Sequence, residues 1–332
     1  MSIPAEMMAV ELSAPNIFEA KKISTPTITK KGQVLVKMAN APINPSDLAF
    51  LTGNYGIKKP YPTVPGLEGS GVVVASGGGF YANYLKGKRV ACVAAFDQGG
   101  SWAEYMLTEA SSCIAISDKV SDEQASMSFV NPLTAVAFID KAKKENFKAI
   151  IMDAAGSALA KMVHYQCQKA GIDFAGVVRK EDGIESLRDA FGHVWSTAHG
   201  EWKANVKEWA SAYSKVLFVD AVSGGKEPFE LLRQLPKSSK MLIYGRMNQT
   251  EEPAFSPVDL LFNDYTVEGF WLSNEVKNNG LLKSLKNTRK VQAMLKDGFE
   301  TSIQKIVEPT DIKEAIKTYT SSMSDGKILL KF

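Results

Sequence analysis

The segment Phe147–Ala170, FKAIIMDAAGSALAKMVHYQCQKA, decides the fold of this chain. It opens with Phe147–Asp153, a mostly apolar run that is typical of a parallel strand buried on both faces. Small residues follow over Ala154–Ala158, and the segment then has the pattern of a helix to Ala170. A buried strand, a turn of small residues and a helix predict the first unit of a nucleotide-binding parallel sheet.

Beyond this segment, strands and helices continue to alternate. We expect strands at Phe174–Val178, Val216–Val222, Met241–Tyr244 and Tyr265–Leu272, and helices at Gly183–Phe191 and Phe229–Leu235. This alternation favours an α/β fold with a doubly wound parallel sheet, a Rossmann domain, which we assign to residues 122–272.

The sequence on either side of the α/β segment is rich in strand patterns. Short apolar runs bounded by turn residues predict strands at Val34–Met38, Gly71–Ala75, Arg89–Ala95, Ile303–Val307 and Lys327–Phe332. Because β structure returns after the α/β segment, we predict a second, discontinuous β-rich domain that is formed by residues 1–121 and 273–332.

The composition excludes several classes of protein. A length of 332 residues suggests two domains, and 39 Lys and Arg against 36 Asp and Glu give a net charge of only +3. So small an excess does not require a nucleic-acid partner. No apolar run approaches the ~18 residues of a membrane-spanning helix, so we expect no membrane insertion.

The cysteines, the histidines and the N-terminus indicate a reducing compartment. Three cysteines and three histidines lie far apart in the sequence, so we expect neither a disulfide framework nor a metal site. The N-terminal residues include Glu6 and Glu11 and lack a basic stretch followed by an apolar one, unlike a secretory signal or a transit peptide. We therefore expect a cytoplasmic protein, with the mitochondrial matrix as the open alternative.

The turn after the first buried strand is the predicted phosphate site. The amide groups and the dipole at the N-terminus of the next helix favour a pyrophosphate there if the backbone can approach closely. Glycines provide that approach in a G-x-G-x-x-G turn, but this chain has Ala155, Ser157 and Ala160 at the three positions. The turn alone leaves open whether a dinucleotide binds.

The end of the second strand of the sheet indicates which dinucleotide would bind. Proteins that use NAD place a carboxylate near this position to bind the ribose. Here the strand ends in Arg179 and Lys180, and Glu181 and Asp182 come only after them. The two cations would attract a 2′-phosphate, so we predict NADP(H) rather than NAD(H). The alternative is a solvated strand-to-helix loop.

Motifs spread over most of the chain resemble one known superfamily. In chain order they are VLVK (34–37), APINPSD (41–47), TVPGLEGSG (63–71), GGSWAEY (99–105), NPLTA (131–135), VVR (177–179), YG (244–245), GFWL (269–272) and GKIL (326–329). With these motifs the chain resembles the medium-chain dehydrogenase/reductase superfamily, in its zinc-independent quinone oxidoreductase and 2-enoyl thioester reductase branches. The resemblance implies a GroES-like fold for the β-rich domain, a cofactor cleft between the domains, and a homodimer.

The chain departs from zinc-dependent members of that superfamily at two positions. Asn44 stands where they have a cysteine and Leu67 where they have a histidine, and neither side chain is a practical zinc ligand. The resemblance therefore implies an enzyme without a metal. Without a Lewis acid, hydride transfer to an already activated double bond is favoured over alcohol oxidation. The expected substrate is an electron-poor alkene or a quinone, with an acyl thioester as one candidate.

Matching positions imply the residues that carry out the reaction. Tyr55 matches the proton-donating tyrosine of 2-enoyl thioester reductases, and a phenol remains protonated at neutral pH and can protonate an enolate. The alternative for Tyr55 is a loop aromatic that covers an apolar cleft. Asn44 and Thr134 are expected to orient the nicotinamide and its ribose.

Matching positions also imply cofactor contacts. These residues are Arg179 and Lys180 at the 2′-phosphate, Ser157, Ala158 and Leu159 at the pyrophosphate, Tyr244 and Gly245 as a wall at a strand end, and Phe270, Trp271 and Lys327. The alternative for Phe270 and Trp271 is simple packing between domains. Lys327 would reach a phosphate, unless it is a solvated residue of an edge strand.

A second class of function stays open at this point. The alternative is a non-catalytic binding or structural subunit that keeps the fold and has a degenerate nucleotide site. Its best support is the turn, because Cβ atoms at the glycine positions would crowd a pyrophosphate.

Overall fold

The computed structural model describes residues 3–332, apart from the side chains of residues 279–285. The chain divides into two compact units. The discontinuous unit runs to Pro132 and resumes at Val291, and the continuous unit is Leu133–Lys290. Both divisions lie later in the sequence than the predicted boundaries after residues 121 and 272.

The N-terminal part of the discontinuous unit is mostly β structure. Its elements are β1 (Glu6–Ala14), β2 (Ile17–Ser24), β3 (Gln33–Pro42), α1 (Pro45–Leu51), β4 (Glu68–Ser76), α2 (Phe80–Leu85), β5 (Arg89–Val93), β6 (Tyr105–Glu109), β7 (Cys113–Ala115) and α3 (Asp122–Ser126). The unit extends beyond residue 121 because Asp122 ties α3 to the strands. The Asp122 carbonyl accepts a hydrogen bond from Ser70 Oγ at 2.6 Å, and its carboxylate pairs with the Arg89 guanidinium at 2.9 Å.

The continuous unit is a doubly wound α/β domain. Its elements, of which the first and last extend slightly beyond the unit, are α4 (Val130–Lys144), β8 (Ala149–Met152), α5 (Ala158–Ala170), β9 (Asp173–Val178), α6 (Ile184–Phe191), β10 (His193–Ser196), α7 (Trp202–Ala210), β11 (Leu217–Asp220), α8 (Glu227–Leu232), β12 (Lys240–Ile243), α9 (Pro257–Asn263), β13 (Thr266–Gly269) and α10 (Leu272–Lys296). The strands form a parallel sheet in the order β10-β9-β8-β11-β12-β13, which confirms the predicted Rossmann sheet. None of the helices in the described part of the chain is long and apolar enough to cross a lipid bilayer.

The central strands of this sheet are buried on both faces. Every residue of β8 and of β11 is buried, as a doubly wound sheet requires and as the apolar run around residue 150 predicts. Neither β10 nor α7 was predicted from the sequence. β10 has only four residues and exists because it pairs in parallel with β9, a long-range contact that local periodicity does not reveal.

The chain returns to the discontinuous unit after α10. The remaining elements are β14 (Ile303–Val307), α11 (Ile312–Ser321) and β15 (Lys327–Lys331). The sheet of this unit has the order β14-β15-β3-β4-β5-β7, with β6 also paired to β3. β15 is therefore an interior strand, parallel to β14 and antiparallel to β3.

Candidate active site

The carboxyl edge of the parallel sheet collects most of the predicted cofactor residues. β9 lies on one side of β8 and β11 on the other, so the strand order reverses between β8 and β11. Ligands of doubly wound sheets bind at such a reversal, beyond the carboxyl ends of the strands. The residues at these ends are Asp153 after β8, Arg179 and Lys180 after β9, Asp220 in β11, Tyr244 and Gly245 after β12, and Phe270 and Trp271 after β13.

The turn after β8 ends in a well-capped helix. Ser157 is the N-cap of α5, and its Oγ accepts a hydrogen bond from the Ala160 amide at 3.2 Å. The hydroxyl keeps its own proton for another acceptor. Helix geometry gives the amides of Ala158 and Leu159 no acceptor within α5. These three residues thus present the donors that the sequence assigns to a pyrophosphate.

The alanines at the glycine positions face the protein interior. Ala155 and Ala160 are both fully buried. The Ala155 methyl lies over Gly176 of β9, where an added Cβ would be only 2.5 Å from it, and the Ala155 amide donates to the Val177 carbonyl at 3.2 Å. The Ala155 methyl therefore fills the space beside Gly176 of β9, and neither methyl group is exposed on the solvent side of the turn. The crowding on which the non-catalytic alternative rests does not come from them.

The cations at the end of β9 are exposed. Arg179 and Lys180 are both exposed, and neither side chain makes an ion pair among the residues that the structure describes. The carboxylate of the next residue, Glu181, lies 2.9 Å from Nε2 of His199. The loop therefore presents two cations toward solvent while its first carboxylate is directed at a histidine.

A buried carboxyl pair lies at the strand reversal. Asp220 accepts hydrogen bonds from the amides of Val222 and Ser223, at 2.9 and 3.0 Å, and from the Ser223 hydroxyl at 2.5 Å. Asp153 accepts from the Ala221 amide at 2.7 Å, while its Oδ2 has no partner among the described residues. Burial, and then the neighbouring Asp220, raises the pKa of Asp153 well above its usual range.

Two of the predicted cofactor residues, Tyr244 and Phe270, share one packing partner. The ring of Phe138 in α4 meets Tyr244 at 5.3 Å and Phe270 at 4.9 Å, both edge-on. Burial, with Asp153 and Asp220 nearby, raises the pKa of Tyr244. A side chain at Gly245 would lie 3.1 Å from the Ala221 carbonyl oxygen, so the backbone there is close to the neighbouring strand end.

A buried polar network surrounds Asn44 in the discontinuous unit. The Asn44 network consists of Asn44, Asp47, Glu68, Tyr319 and Lys327. Asn44 Nδ2 donates to Glu68 Oε1 at 2.9 Å, and the Lys327 ammonium donates to Asn44 Oδ1. The same ammonium lies 3.2 Å from the Tyr319 hydroxyl. Asp47 accepts from the amides of Asn44 and Leu67, at 2.8 and 3.0 Å, and so fixes the start of α1.

Glu68 ends this network at the beginning of α4. Its Oε2 accepts hydrogen bonds from the amides of Phe129 and Val130, both at 2.9 Å. Burial raises the pKa of Glu68 and raises that of Asp47 to about 7, and the Lys327 charge opposes both shifts.

Tyr55 lies in an anchored loop of the same unit. It is half-buried and packs against the core of the unit that includes Phe50 and Leu51. Further along the loop, the Lys59 ammonium donates to the carbonyls of Ala95, at 3.1 Å, and of Gln98. Burial lowers the pKa of Lys59 to about 8. Thr134, the other residue expected to orient the nicotinamide, is buried in α4 of the continuous unit.

The structure thus links Asn44 directly to Lys327, a pairing that the sequence did not reveal. The idea of Lys327 as a solvated edge-strand residue is wrong, because β15 is interior and Lys327 is only 4% exposed. Its predicted phosphate contact stays a prediction. Glu68 and Asp47 were missed although both lie in recognised motifs, TVPGLEGSG and APINPSD, whereas Tyr319 had no sequence signal beyond its helix.

Comparisons with known proteins identify relatives along most of the chain. Residues 30–118 match the alcohol dehydrogenase GroES-like domain. The human mitochondrial enoyl-[acyl-carrier-protein] reductase is 30% identical over 79% of this chain and 70% of its own length. The Dictyostelium discoideum enzyme of the same name is 31% identical over 76% and 74%.

A solved structure matches the whole chain. It is a Mesorhizobium loti protein assigned as an NADPH:quinone reductase, 32% identical, with a TM-score of 0.90 and full coverage of both chains. Identity and coverage of this extent, with both predicted folds in place, establish the family. This chain belongs to the medium-chain dehydrogenase/reductase superfamily, in the branch of the 2-enoyl thioester reductases and NADPH:quinone reductases.

Proposed function

We propose that this protein is an NADPH-dependent reductase that delivers hydride to an activated C=C bond or to a quinone. The relatives are named for these two activities. The observation that carries the proposal is the turn after β8. Ala155 and Ala160 are buried there, the first amides of α5 have no acceptor within the helix, and exposed cations follow β9.

The residues present fit the phosphates of NADPH. Arg179 and Lys180 would bind the 2′-phosphate, because guanidinium and ammonium groups form charge-assisted hydrogen bonds with it. The Ser157 hydroxyl and the amides of Ala158 and Leu159 would bind the pyrophosphate. When bound, NADPH supplies the hydride. The contacts proposed for Tyr244, Gly245, Phe270 and Trp271 would enclose the cofactor.

The reaction then needs a proton and a fixed geometry. Hydride addition to the β-carbon of an enoyl thioester moves an electron pair onto the thioester oxygen as an enolate. The Tyr55 hydroxyl gives its proton to the α-carbon, and the phenolate regains a proton from water. With a quinone the proton goes to oxygen instead. Asn44 and Thr134 orient the reacting groups.

No metal is required in this scheme. Asn44 and Leu67 stand at the positions of metal ligands in zinc-dependent relatives, and both amide atoms of Asn44 already have partners in Lys327 and Glu68. Leu67 offers no donor atom to a metal. Zinc independence is therefore part of the proposal.

We further propose a homodimer in a reducing compartment. β13 is the last strand of the parallel sheet, so its outer edge can pair with a second copy. Beside it in the sequence, α9 exposes three large apolar side chains, Val258 at 60%, Leu261 at 75% and Phe262 at 73%. The three cysteines are buried and free, which suits such a compartment.

A fluorescence titration with NADPH and with NADH tests the nucleotide assignment. We expect tight binding of NADPH alone, and an Arg179→Gln/Lys180→Gln variant should weaken NADPH binding about 10- to 100-fold without changing NADH binding. Lys143→Gln/Lys144→Gln is the matched control, since it removes two exposed cations of the same unit. Absence of binding to either nucleotide would favour the non-catalytic alternative.

The acceptor is identified by NADPH oxidation against one enoyl thioester, one quinone and one enone. We expect turnover of at least one of them in metal-free buffer with a chelator present. Binding of NADPH with no turnover of any of the three would overturn the enzymatic proposal and leave a cofactor-binding role.

A further inference from the structure

Lys327 is a buried cation without an ion-pair partner of its own among the residues that the structure describes. It is 4% exposed, and its ammonium bonds to the Asn44 amide oxygen and the Tyr319 hydroxyl, both neutral groups. Burying an ammonium costs free energy unless nearby groups stabilise the charge. The carboxyl groups of Asp47 and Glu68 are close enough for the Lys327 charge to oppose the rise in pKa that burial causes in both.

The lysine also determines the orientation of the Asn44 amide. An amide has a carbonyl acceptor at one end and two N–H donors at the other. Lys327 provides only donors, so it fixes Oδ1, and Glu68 accepts from Nδ2. With both ends engaged, the second N–H of Asn44 is held in one direction.

The Lys327 ammonium lies next to a position that binds metal in zinc-dependent relatives. Asn44 stands where zinc-dependent relatives have a cysteine ligand, and Lys327 donates to the side chain of that same residue. A cation therefore lies against the side chain at the position that holds the metal in zinc-dependent relatives. The charge is supplied by the chain itself, from a strand far along the sequence.

We propose that Lys327 is the internal cation of this active site, which holds the Asn44 amide in its working orientation and offsets the Asp47 and Glu68 carboxylates where related enzymes use a metal ion. Lys327 is in this respect a positioning residue that acts through Asn44. The proposal rests on the proposed reductase function.

A double-mutant cycle tests whether Lys327 acts through Asn44. Lys327→Met should lower kcat/KM about 10- to 100-fold, as expected for a misplaced catalytic group. Lys327→Gln keeps a donor for Asn44 Oδ1 and should retain more activity than Lys327→Met. In an Asn44→Ala background, adding Lys327→Met should lower kcat/KM by less than about a further threefold, because the partner of Lys327 is already lost. Equal losses in both backgrounds would overturn the positioning role.

Lys331→Met is the matched control. It removes an exposed lysine from the other end of β15 and should leave kcat/KM unchanged. If both lysine variants lose activity equally, the effect belongs to the strand and not to the Asn44 network.

A second measurement needs no activity. The titratable groups facing Lys327 and its partners are Asp47 of α1, Glu68 of β4, Tyr319 of α11 and the Cys92 thiol of β5, whose pKa Glu68 helps to raise. The folded pKa of Asp47 is raised to about 7, so its protonated form favours the folded state. That contribution to the unfolding free energy is lost as the pH rises to about 7.

Without the Lys327 charge, the pKa of both carboxyls rises further. The unfolding free energy of Lys327→Met should therefore fall more steeply above pH 7 than that of the wild type and of Lys331→Met. Parallel curves for all three proteins would overturn the internal-cation proposal even if the enzyme is active. If the wild type oxidises no NADPH while the curves diverge, the reductase function is overturned, and the role of Lys327 as a buried cation beside Asp47 and Glu68 stands.

Discussion

Tyr55 is the residue whose chemistry is most directly testable. Its ring packs against the core of the discontinuous unit, and the loop that carries it is tied by Lys59 to the carbonyls of Ala95 and Gln98. The hydroxyl group of a tyrosine held in this way can be removed by substitution with phenylalanine, which keeps the ring. This allows a clean separation of proton transfer from packing.

We expect Tyr55→Phe to lower kcat for an enoyl thioester about 100-fold while NADPH binding is unchanged, since only the proton donor is lost. Turnover of a quinone should fall less, because its oxygen can take a proton from water. Tyr61→Phe in the same loop is the control and should behave as the wild type. Full activity of Tyr55→Phe with every acceptor would exclude Tyr55 as the acid.

Asp153 gives a prediction about pH and stability. Burial and Asp220 raise the folded pKa of Asp153, so its protonated form favours the folded state. This contribution is complete below the pKa that the same carboxyl group has in the unfolded chain, and it is lost as the pH rises. Asp153→Asn keeps the shape and cannot ionise. Urea unfolding from pH 5 to 9 should show the variant losing less stability than the wild type. Identical slopes would show that Asp153 does not titrate in the folded state.

At the scale of elements, the contact between the β8 turn and β9 explains why alanine is accepted in place of glycine. The Ala155 methyl occupies the space above Gly176. The turn has a methyl group where a glycine is expected, and β9 has a glycine opposite it that leaves room for that methyl. A pattern search for three glycines cannot see this exchange, because the two positions lie on different elements.

We expect Gly176→Ala to lower the free energy of unfolding by about 1–3 kcal/mol, since two methyl groups would meet at 2.5 Å. Adding Ala155→Gly to that variant should restore most of the loss. Gly200→Ala has open space around it and serves as the control. Thermal unfolding of the four proteins measures the effect, and a fully stable Gly176→Ala single variant would contradict this packing of the turn against β9.

Local sequence predicted the elements that local forces decide. β14 was predicted with its observed bounds, and the buried strands around residues 150 and 218 followed from continuous apolar runs. β1, β2 and β10 were missed because pairing with a neighbour, and not their own periodicity, makes them strands. The Asn44 network was only half predicted: Asn44 and Lys327 were chosen, but for separate roles.

At the scale of the whole molecule, the exposed apolar face of α9 is a feature that a single chain does not explain. Leu261 and Phe262 are each about three-quarters exposed, next in sequence to the edge strand β13. Large apolar side chains exposed together commonly mark an interface.

Light scattering should give about twice the chain mass of 36.2 kDa for the wild type. Leu261→Lys/Phe262→Lys should shift the protein toward the monomer, because it places charge in an apolar contact. Ile17→Lys, at a similarly exposed apolar position of β2, should leave the mass unchanged. A monomeric wild type would exclude the proposed dimer.

The separation of 283 residues between Asn44 and Lys327 has a consequence for biosynthesis. The parallel sheet is encoded by one uninterrupted stretch and can form as soon as that stretch leaves the ribosome, whereas the Asn44 network must wait for β15. Until then a gap beside β3 exposes backbone donors and acceptors, with Asp47 and Glu68 lacking their countercharge. Nascent chains arrested before residue 327 should therefore depend on chaperones far more than the finished protein does.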